Sequence, residues 1–307
     1  MFDTHCHLNF KRFSGQVNDV VGRAKEFGVN YMLVPGTDYV SSQKSVEIAE
    51  KYEGVYAAVG IHPHHIFEIY NQSLKFLSQD QLASRLKSGP VVPRSFSEFE
   101  ESRRHSLAQT TDLRKNFDSL LPNKKVVAIG EVGIDRHIYR ETKYADYKVG
   151  ESFVELQKEY LKSQIVLAIE YDKSLILHNR EAKTDILSVL AEKWDKKLAG
   201  HTVFHCCEPD GELLDFALRH NIYIGVDGDV TYNREKQVFI KKVPPTMLVL
   251  ETDSPFLLPE PLRSQKLYPN EPKNLPLIAE FVGRLINQSV NSVIDITTIN
   301  AKKLLRL

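Results

Sequence analysis

The sequence predicts an α/β protein folded as a TIM (β/α)8 barrel. Short apolar runs that suit buried strands occur eight times along the 307-residue chain, and amphipathic stretches separate them. This alternation is typical of a parallel sheet with helical crossovers, and eight strand–helix units are what a closed barrel requires. No glycine-rich phosphate fingerprint follows the first run, so an open doubly wound sheet is the less favoured alternative.

The eight predicted strands are apolar runs, most of which end in polar residues. In chain order they read FDTHCHL, YMLVPG, VYAAVGIH, VVAIGE, LILHNR, TVFHC, IYIGVDG and MLVLETD. Apolar side chains keep helical spacing from Val17 to Phe27, after the first run, and from Phe153 to Ala168, after the fourth. These two stretches are predicted helices that connect neighbouring strands.

The connection between the third and fourth strands is much longer than the others. Residues 66–124 contain the stretch SGPVVPRSFSEFEESRRH, which is rich in proline, serine and charge. We expect residues 66–124 to be a long helical insertion that carries one or two helices over the barrel mouth. The insertion would lie within a single barrel domain spanning residues 1–307.

Composition limits the classes of function. Lysine plus arginine and aspartate plus glutamate number 40 each, so no global positive field draws the protein onto nucleic acid. Any nucleic-acid end would therefore be bound weakly and locally. Three cysteines do not make a disulfide framework, and no signal peptide or membrane-spanning run is present. We expect a cytoplasmic monomer that does not bind membranes.

Side chains that can bind metal ions stand at the ends of five predicted strands. Because the carboxyl ends of barrel strands form one rim, these side chains should meet in space. Buried polar groups without partners cost several kcal/mol, which makes a chance arrangement unfavourable. The predicted metal ligands are His5, His7, Glu131, His178, His205 and Asp253.

Six nitrogen and oxygen donors exceed the four ligands of a tetrahedral structural site. They suit two divalent cations (Zn, Mn, Mg or Co) bridged by a carboxylate, and Glu131 has the central strand position for bridging. Such a pair lowers the pKa of a shared water molecule and polarises an ester or phosphoryl oxygen. Asp253 would bind a metal and accept the proton of the water, so Asp253 and Glu131 are the predicted catalytic residues.

Further polar residues are predicted to support the ligands or to bind substrate. Glu251 and Asp3 each lie about 6.6 Å below a ligand on the same strand face, where they would contact the ligands rather than the metals. His62, His64 and Arg180 are predicted to bind a substrate phosphate.

A second predicted contact with substrate follows the last strand. Residues 261–273 combine Arg263, Lys266 and Lys273 with the aromatic Tyr268. This combination suits a frayed nucleic-acid strand end with a stacked base, and a plain proline-rich loop is the alternative.

Seven motifs together resemble the TatD-type metal-dependent deoxyribonucleases of the amidohydrolase superfamily. They are DTHCHL, GIHPH, VVAIGEVGID, LHNREA, FHC, YIGVDG and LETDSPFLLP followed by NEPKNLP. The resemblance covers nearly the whole chain outside residues 66–124. It implies a TIM barrel, a two-metal site and hydrolysis of nucleic-acid phosphodiesters, typically from a 3′ end.

Residue by residue, the resemblance assigns His5 and His7 to the first metal, Glu131 to the bridge, and His178 and His205 to the second metal. It assigns Asp253 as ligand and proton acceptor. Three features depart from the family pattern. Asn9 replaces a usual Asp, CCEPDGE places Glu208 near the mouth, and the insertion is longer than usual. These departures concern substrate choice, because no predicted metal ligand is lost.

The sequence therefore predicts a metal-dependent hydrolase that cleaves DNA phosphodiesters, as a 3′–5′ exonuclease on single-stranded ends. The alternative is a hydrolase of another ester or amide, such as a D-aminoacyl-tRNA deacylase, because the same activated water attacks an acyl carbon equally well. A scaffold without turnover is a third hypothesis, and it is disfavoured because all six ligands are retained.

Overall fold

The computed structural model describes residues 1–75, 117–139, 147 and 149–307. Eight parallel strands form one sheet in which each strand pairs with the next along the chain, so the predicted TIM-barrel fold is confirmed. The strands are β1 (Phe2–Asp3), β2 (Tyr31–Pro35), β3 (Val55–Val59), β4 (Val126–Asp135), β5 (Ser174–Arg180), β6 (Thr202–Phe204), β7 (Tyr223–Val226) and β8 (Leu248–Leu250).

Helices occupy the connections between strands, and two more follow the last strand. They are α1 (Val17–Glu26), α2 (Tyr39–Lys51), α3 (Pro63–Lys75), α4 (Glu151–Glu170), α5 (Lys183–Lys193), α6 (Gly211–His220), α7 (Arg234–Ile240), α8 (Leu275–Leu285) and α9 (Val290–Leu304). Short 3₁₀ helices cover Lys11–Phe13, Lys196–Leu198, Gly228–Thr231, Pro245–Met247 and Pro272–Asn274. The helices predicted from Val17 and from Phe153 correspond to α1 and α4.

Each strand contributes one side chain to a buried layer that includes aromatic, aliphatic and alanine residues. The layer consists of Phe2, Leu33, Ala58, Ala128, Ile176, Val203, Tyr223 and Val249. Because side chains on a strand alternate with a period of two, the residues two positions further along face the same side, nearer the carboxyl ends. On β5 and just after β6 those residues are His178 and His205, so the periodicity that builds the core also aims these imidazoles at the rim.

The sheet closes where the start of the chain meets β8. Thr4 N–H donates to the carbonyl oxygen of Leu250 at 3.0 Å, and His7 N–H donates to the carbonyl oxygen of Ser254 at 2.7 Å. In return, Asp253 N–H donates to the carbonyl oxygen of His5 at 2.9 Å. Hydrogen bonds to both oxygens of the Asp3 carboxylate, from the N–H of Thr252 at 3.0 Å and its hydroxyl at 2.6 Å, complete the seam.

Strands β1, β6 and β8 end before the metal ligands that the sequence predicts on them. The run FDTHCHL was predicted to be a strand that ends with both histidines, but β1 ends at Asp3. Likewise, β8 ends at Leu250, before Asp253. Beyond these points the two segments are held by the seam, which includes an isolated parallel bridge between Cys6 and Ser254. His5, His7 and Asp253 are therefore carried by a paired but irregular backbone at the mouth.

Most of the predicted insertion lies outside the described residues. Residues 66–75 belong to α3, which begins at Pro63, and residues 117–124 lead into β4. The helical insertion over the mouth stays a prediction. Within the described ranges, no helix has both the length and the apolar character needed to cross a bilayer.

Candidate metal centre

The structure brings all six predicted metal ligands together at the carboxyl end of the barrel. Glu131 lies where the pairing of β4 with β5 shifts register, an irregularity of the kind that redirects side chains. Gly133 lets β5 approach closely at this point, because a Cβ there would lie 1.8 Å from the carbonyl oxygen of His178. The sequence thus allows His178 to face Glu131 across two neighbouring strands.

The first donor group surrounds one oxygen of Glu131. The Nε2 atoms of His5 and His7 lie 3.2 Å apart. Oε2 of Glu131 lies 3.4 Å from the first and 3.6 Å from the second. Oδ1 of Asp253 lies 3.8 Å and 3.4 Å from the same two nitrogens. Two imidazoles and two carboxylates therefore point at a common volume.

The second donor group surrounds the other oxygen of Glu131. Nδ1 of His178 and Nε2 of His205 each lie 2.8 Å from Oε1. Nε2 of His62 lies 3.4 Å from the same oxygen. The sequence predicts His62 as a substrate contact, and the structure brings it within reach of this group.

These separations fit divalent cations. Ligands held about 2.0–2.1 Å from a tetrahedral ion are about 3.3 Å from one another, and the five separations within the first group run from 3.2 to 3.8 Å. In addition, Nδ1 of His5, His7 and His205 is buried without a hydrogen-bond partner in the described part of the chain. These three nitrogens are the ones that face away from Glu131, whereas Nε2 of each of the three rings faces a Glu131 oxygen.

Three of the buried groups, His5, His62 and Glu131, have protonation states that suit metal binding. Burial lowers the pKa of His5 to about 4 and that of His62 to about 3, so both are neutral near pH 7, as metal ligands must be. Burial raises the pKa of Glu131, but the facing imidazoles, including His62 and His205, outweigh burial and hold its pKa well below the usual value. Glu131 is therefore an ionised carboxylate.

A buried carboxylate contacts the ring edge of His178 that faces away from Glu131. Its Nε2 lies 3.2 Å from Oδ2 of Asp135, which is fully buried. Oδ2 also accepts a hydrogen bond from the Tyr139 hydroxyl at 2.8 Å and lies 3.1 Å from Nε2 of His64. Burial lowers the pKa of His178, but its hydrogen bonds to Asp135 and Glu131 outweigh burial and raise the pKa to about 10.

Two acidic residues predicted to support the ligands do so through backbone groups. Asp3 accepts a hydrogen bond from the N–H of His5 at 3.2 Å, whereas the imidazole of His5 does not contact it. Glu251 accepts the N–H of Cys206 and lies 3.8 Å from Nδ1 of His205. Both carboxylates fix the chain next to a ligand.

The mouth of the site carries Arg180 and Glu208. Arg180 is exposed, and its guanidinium lies 5.1 Å from the ring centre of Tyr139. Glu208 accepts hydrogen bonds from the Asn179 side chain at 3.0 Å and from the N–H of Glu181 at 3.1 Å. The negative charge expected near the mouth is thus present, hydrogen-bonded to the end of β5 and to the residue that follows it.

Asn9 stands apart from the donor groups. Its side-chain amide donates to the carbonyl oxygens of Pro35 and Ser41 and to the hydroxyl of Ser45. A carboxylate could not donate to these carbonyls. Asn9 therefore ties the segment that carries His5 and His7 to β2 and α2.

The segment 261–273 is already engaged in contacts with the protein. Arg263 lies 4.2 Å from the ring centre of Tyr232 and 3.4 Å from a Glu260 oxygen, and Lys273 pairs with Glu271 at 3.5 Å. Tyr268 is 55% exposed. The predicted nucleic-acid contact of this segment stays a prediction.

Sequence reasoning missed the placement of two residues. His62 ends the predicted strand VYAAVGIH, and the sequence analysis assigns it to the substrate phosphate rather than to the metal ligands. Asp135, at the end of β4, has no role in the sequence analysis. The motif GEVGID, which puts Asp135 four residues after Glu131 on one strand face, was the available signal.

Comparisons with known proteins identify the family of this chain. The model of the family "TatD related DNase" matches residues 2–306. An uncharacterized metal-dependent hydrolase, YabD of Bacillus subtilis, is 29% identical over all of this chain and 99% of its own length. The 3′–5′ ssDNA/RNA exonuclease TatD of Escherichia coli is 28% identical over 99% of this chain and 98% of its own. The crystal structure of the Escherichia coli TatD homologue YjjV, 24% identical, shares the fold with a TM-score of 0.71 over 100% of this chain and 98% of its own.

Proposed function

Because this chain belongs to the family of TatD-related DNases and is a metal-dependent hydrolase, we propose that it removes nucleotides from the 3′ end of single-stranded DNA. The observation that carries the proposal is the position of Glu131, whose two oxygens face two different groups of donors. Relatives named 3′–5′ ssDNA/RNA exonuclease match the full length of the chain and support this choice of substrate.

The proposal includes two divalent cations, of Zn, Mn, Mg or Co. His5, His7 and Asp253 would hold one cation, His178 and His205 the other, and Glu131 both. When bound, the ions supply a water molecule of lowered pKa and polarise a phosphoryl oxygen. The mixture of imidazole and carboxylate donors is compatible with each of these metals.

The protein groups have separate tasks in this scheme. Water attacks phosphorus, the bond from phosphorus to the 3′ oxygen of the preceding nucleotide breaks, and that oxygen gains a proton. Asp253, whose carboxylate is 14% exposed at the mouth, accepts a proton from the water and returns it to the leaving oxygen. Glu131 stays ionised and lies between the two donor groups, with one oxygen facing each.

Arg180 and His62 bind the substrate phosphate in the proposal. Arg180 offers two parallel N–H groups to the phosphate oxygens, and neutral His62 donates one hydrogen bond. We assign His64 a different task from the one the sequence predicts. Its Nε2 lies 3.1 Å from Asp135, so it holds that carboxylate rather than the substrate.

We further propose that the protein works as a cytoplasmic monomer. All six ligands come from one chain, and its three cysteines are free thiols, as a reducing compartment favours. With a net charge of zero, binding of DNA ends is expected to be weak and to weaken further with salt.

A test uses the full chain stripped of metal by a chelator and resupplied with each cation in turn. The substrate is a single-stranded oligonucleotide labelled at its 5′ end. We expect products shortened one nucleotide at a time from the 3′ end, no cleavage without metal, and no deacylation of a D-aminoacyl-tRNA assayed in parallel. Full cleavage after stripping, or hydrolysis of the tRNA ester in place of DNA, would overturn the proposal.

A further inference from the structure

We propose that Phe256, backed by Phe10, forms an aromatic platform on which the terminal nucleobase of the DNA strand stacks. This inference rests on the proposed function and adds a binding subsite to it. We call the side chains of Phe256 and Phe10 the aromatic platform.

The aromatic platform is continuous with a metal ligand. The ring of Phe10 stacks on the imidazole of His7, with ring centres 4.2 Å apart and planes 14° apart. Phe256 meets both rings edge-on, with centres 6.2 Å from Phe10 and 6.4 Å from His7. The aromatic platform therefore lies next to the first donor group and contacts it through His7.

Phe256 is exposed although its backbone is well held. Half of its surface, 50%, is accessible to solvent. Its N–H donates to the carbonyl oxygen of Asp253 at 2.8 Å. The buried Asn270 side chain donates to the carbonyl oxygens of Thr252 and Leu257, on either side of Phe256. A large apolar side chain is thus presented to solvent by a turn fixed with hydrogen bonds.

The occupant that fits this surface is a nucleobase. In a nucleotide, one sugar separates the phosphate from the base, so a phosphate bound at the donor groups leaves its base within reach of a ring next to His7. Stacking on an aromatic ring accepts every base, because each base has a π face. The two phenylalanines offer no charge or hydrogen-bond donor to a phosphate, which assigns them to the base.

The test separates stacking from the chemistry at the metals. Two single-stranded oligonucleotides differ only in their 3′-terminal residue, which is a normal nucleotide in one and a base-free tetrahydrofuran nucleotide in the other. The variants are Phe256→Ala, Phe256→Tyr as the conservative change, and Phe27→Ala as a matched control. Phe27 is 57% exposed and precedes β2, at the opposite end of the barrel.

We expect Phe256→Ala to lower kcat/KM on the normal end by about tenfold or more, as the loss of one stacked base implies. On the base-free end the change should stay below about twofold, and Phe256→Tyr and Phe27→Ala should behave like the wild type on both. Equal losses on the two ends, or no loss on the normal end, would overturn the platform.

Binding gives a second readout that does not depend on turnover. Fluorescence anisotropy with phosphorothioate versions of both oligonucleotides should show the same base-dependent loss of affinity in Phe256→Ala. If the wild type cleaves neither strand, the proposed function fails. The aromatic platform then also fails if Phe256→Ala binds the normal end as tightly as the wild type does.

Discussion

Nε2 of His178 lies 3.2 Å from Oδ2 of Asp135, on the ring edge opposite the contact of Nδ1 with Glu131. A carboxylate behind a ligating imidazole fixes the ring and its tautomer, and removing it typically costs 10–100-fold in metal affinity. We therefore expect Asp135→Asn to weaken metal binding by about that factor, measured by competition with a chromophoric chelator.

The matched control for this change is Asp118→Asn. Asp118 accepts a hydrogen bond from Tyr171 at the surface, and its replacement should leave the affinity for metal unchanged. Unaltered binding in Asp135→Asn would show that His178 does not need this carboxylate.

Replacing either predicted catalytic carboxylate should abolish most turnover. Glu131→Gln removes the charge that both donor groups face, and Asp253→Asn removes the proton acceptor. We expect kcat on single-stranded DNA to fall about 100-fold or more in each variant, with an unchanged circular dichroism spectrum. Near-normal rates in both variants would contradict the assigned roles.

Metal affinity should increase with pH. The raised pKa of His178, about 10, means that the metal-free protein holds a proton there at pH 7, and a cation must displace it. Burial lowers the pKa of His205, but Glu131 outweighs burial and raises it above the usual value as well. His5, with a pKa of about 4, is already neutral and contributes no pH dependence above pH 5.

Calorimetric titration with metal near pH 7.5, in two buffers of different protonation enthalpy, measures the protons released. We expect between one and two per protein, and fewer from His178→Asn. For the His178 proton, affinity should increase up to about tenfold per pH unit until the pH passes about 10. Release of no protons would mean that both imidazoles are neutral before the metal binds.

The carboxylate of Glu208 should oppose DNA binding. Burial raises its pKa above the usual value, and it accepts hydrogen bonds from the Asn179 side chain, at the end of β5, and from the N–H of Glu181. Glu208→Gln keeps a hydrogen-bond acceptor but removes the charge near Arg180. We expect KM for single-stranded DNA to decrease roughly fivefold or less at low salt, since one such charge is worth about 1 kcal/mol.

The gain from Glu208→Gln should shrink as salt increases, because salt screens the interaction of exposed charges. Steady-state kinetics at two ionic strengths measures both effects. A higher KM in Glu208→Gln would indicate instead that the charged form is needed to hold the loop.

The buried Lys236 should be essential for stability. Its Nζ lies 2.7 Å from Asp227 and 2.6 Å from Asp229, and the side chain is 3% exposed. Breaking a buried ion cluster on one side costs about 3–5 kcal/mol, because the remaining charges lose their partner. We expect Lys236→Met to lower the free energy of unfolding by about that amount in urea titrations.

Adding Asp227→Asn to Lys236→Met should recover part of the loss, because the second change removes one of the uncompensated carboxylates. A loss below about 1 kcal/mol in Lys236→Met, in the range of surface ion pairs, would contradict the role of this cluster.

The sequence was most informative where one rule governs many residues. Alternation of apolar runs with helical stretches predicted eight strands, and the barrel is confirmed. The family resemblance is confirmed by the family match over residues 2–306. Because the carboxyl ends of parallel strands share one rim, the convergence of His5, Glu131 and Asp253 could be expected without knowing any distance.

Other features depend on side-chain directions that a linear pattern does not encode. The turn that exposes Phe256 depends on Asn270, fourteen positions away. The contact of His62 with Glu131 depends on where α3 begins, since His62 immediately precedes Pro63. The early end of β1 follows from the seam with β8, whose partners are separated by nearly the whole chain.

The seam has a consequence for synthesis of the protein. Asp3 and Thr252, which it joins, are 249 positions apart, and Asp253 comes right after the second of them. On the ribosome, the histidines that begin the first donor group emerge long before the carboxylate that completes it. A growing chain that carries β1 to β7 therefore lacks the proposed proton acceptor, and the six donors can meet only when translation has passed the last strand.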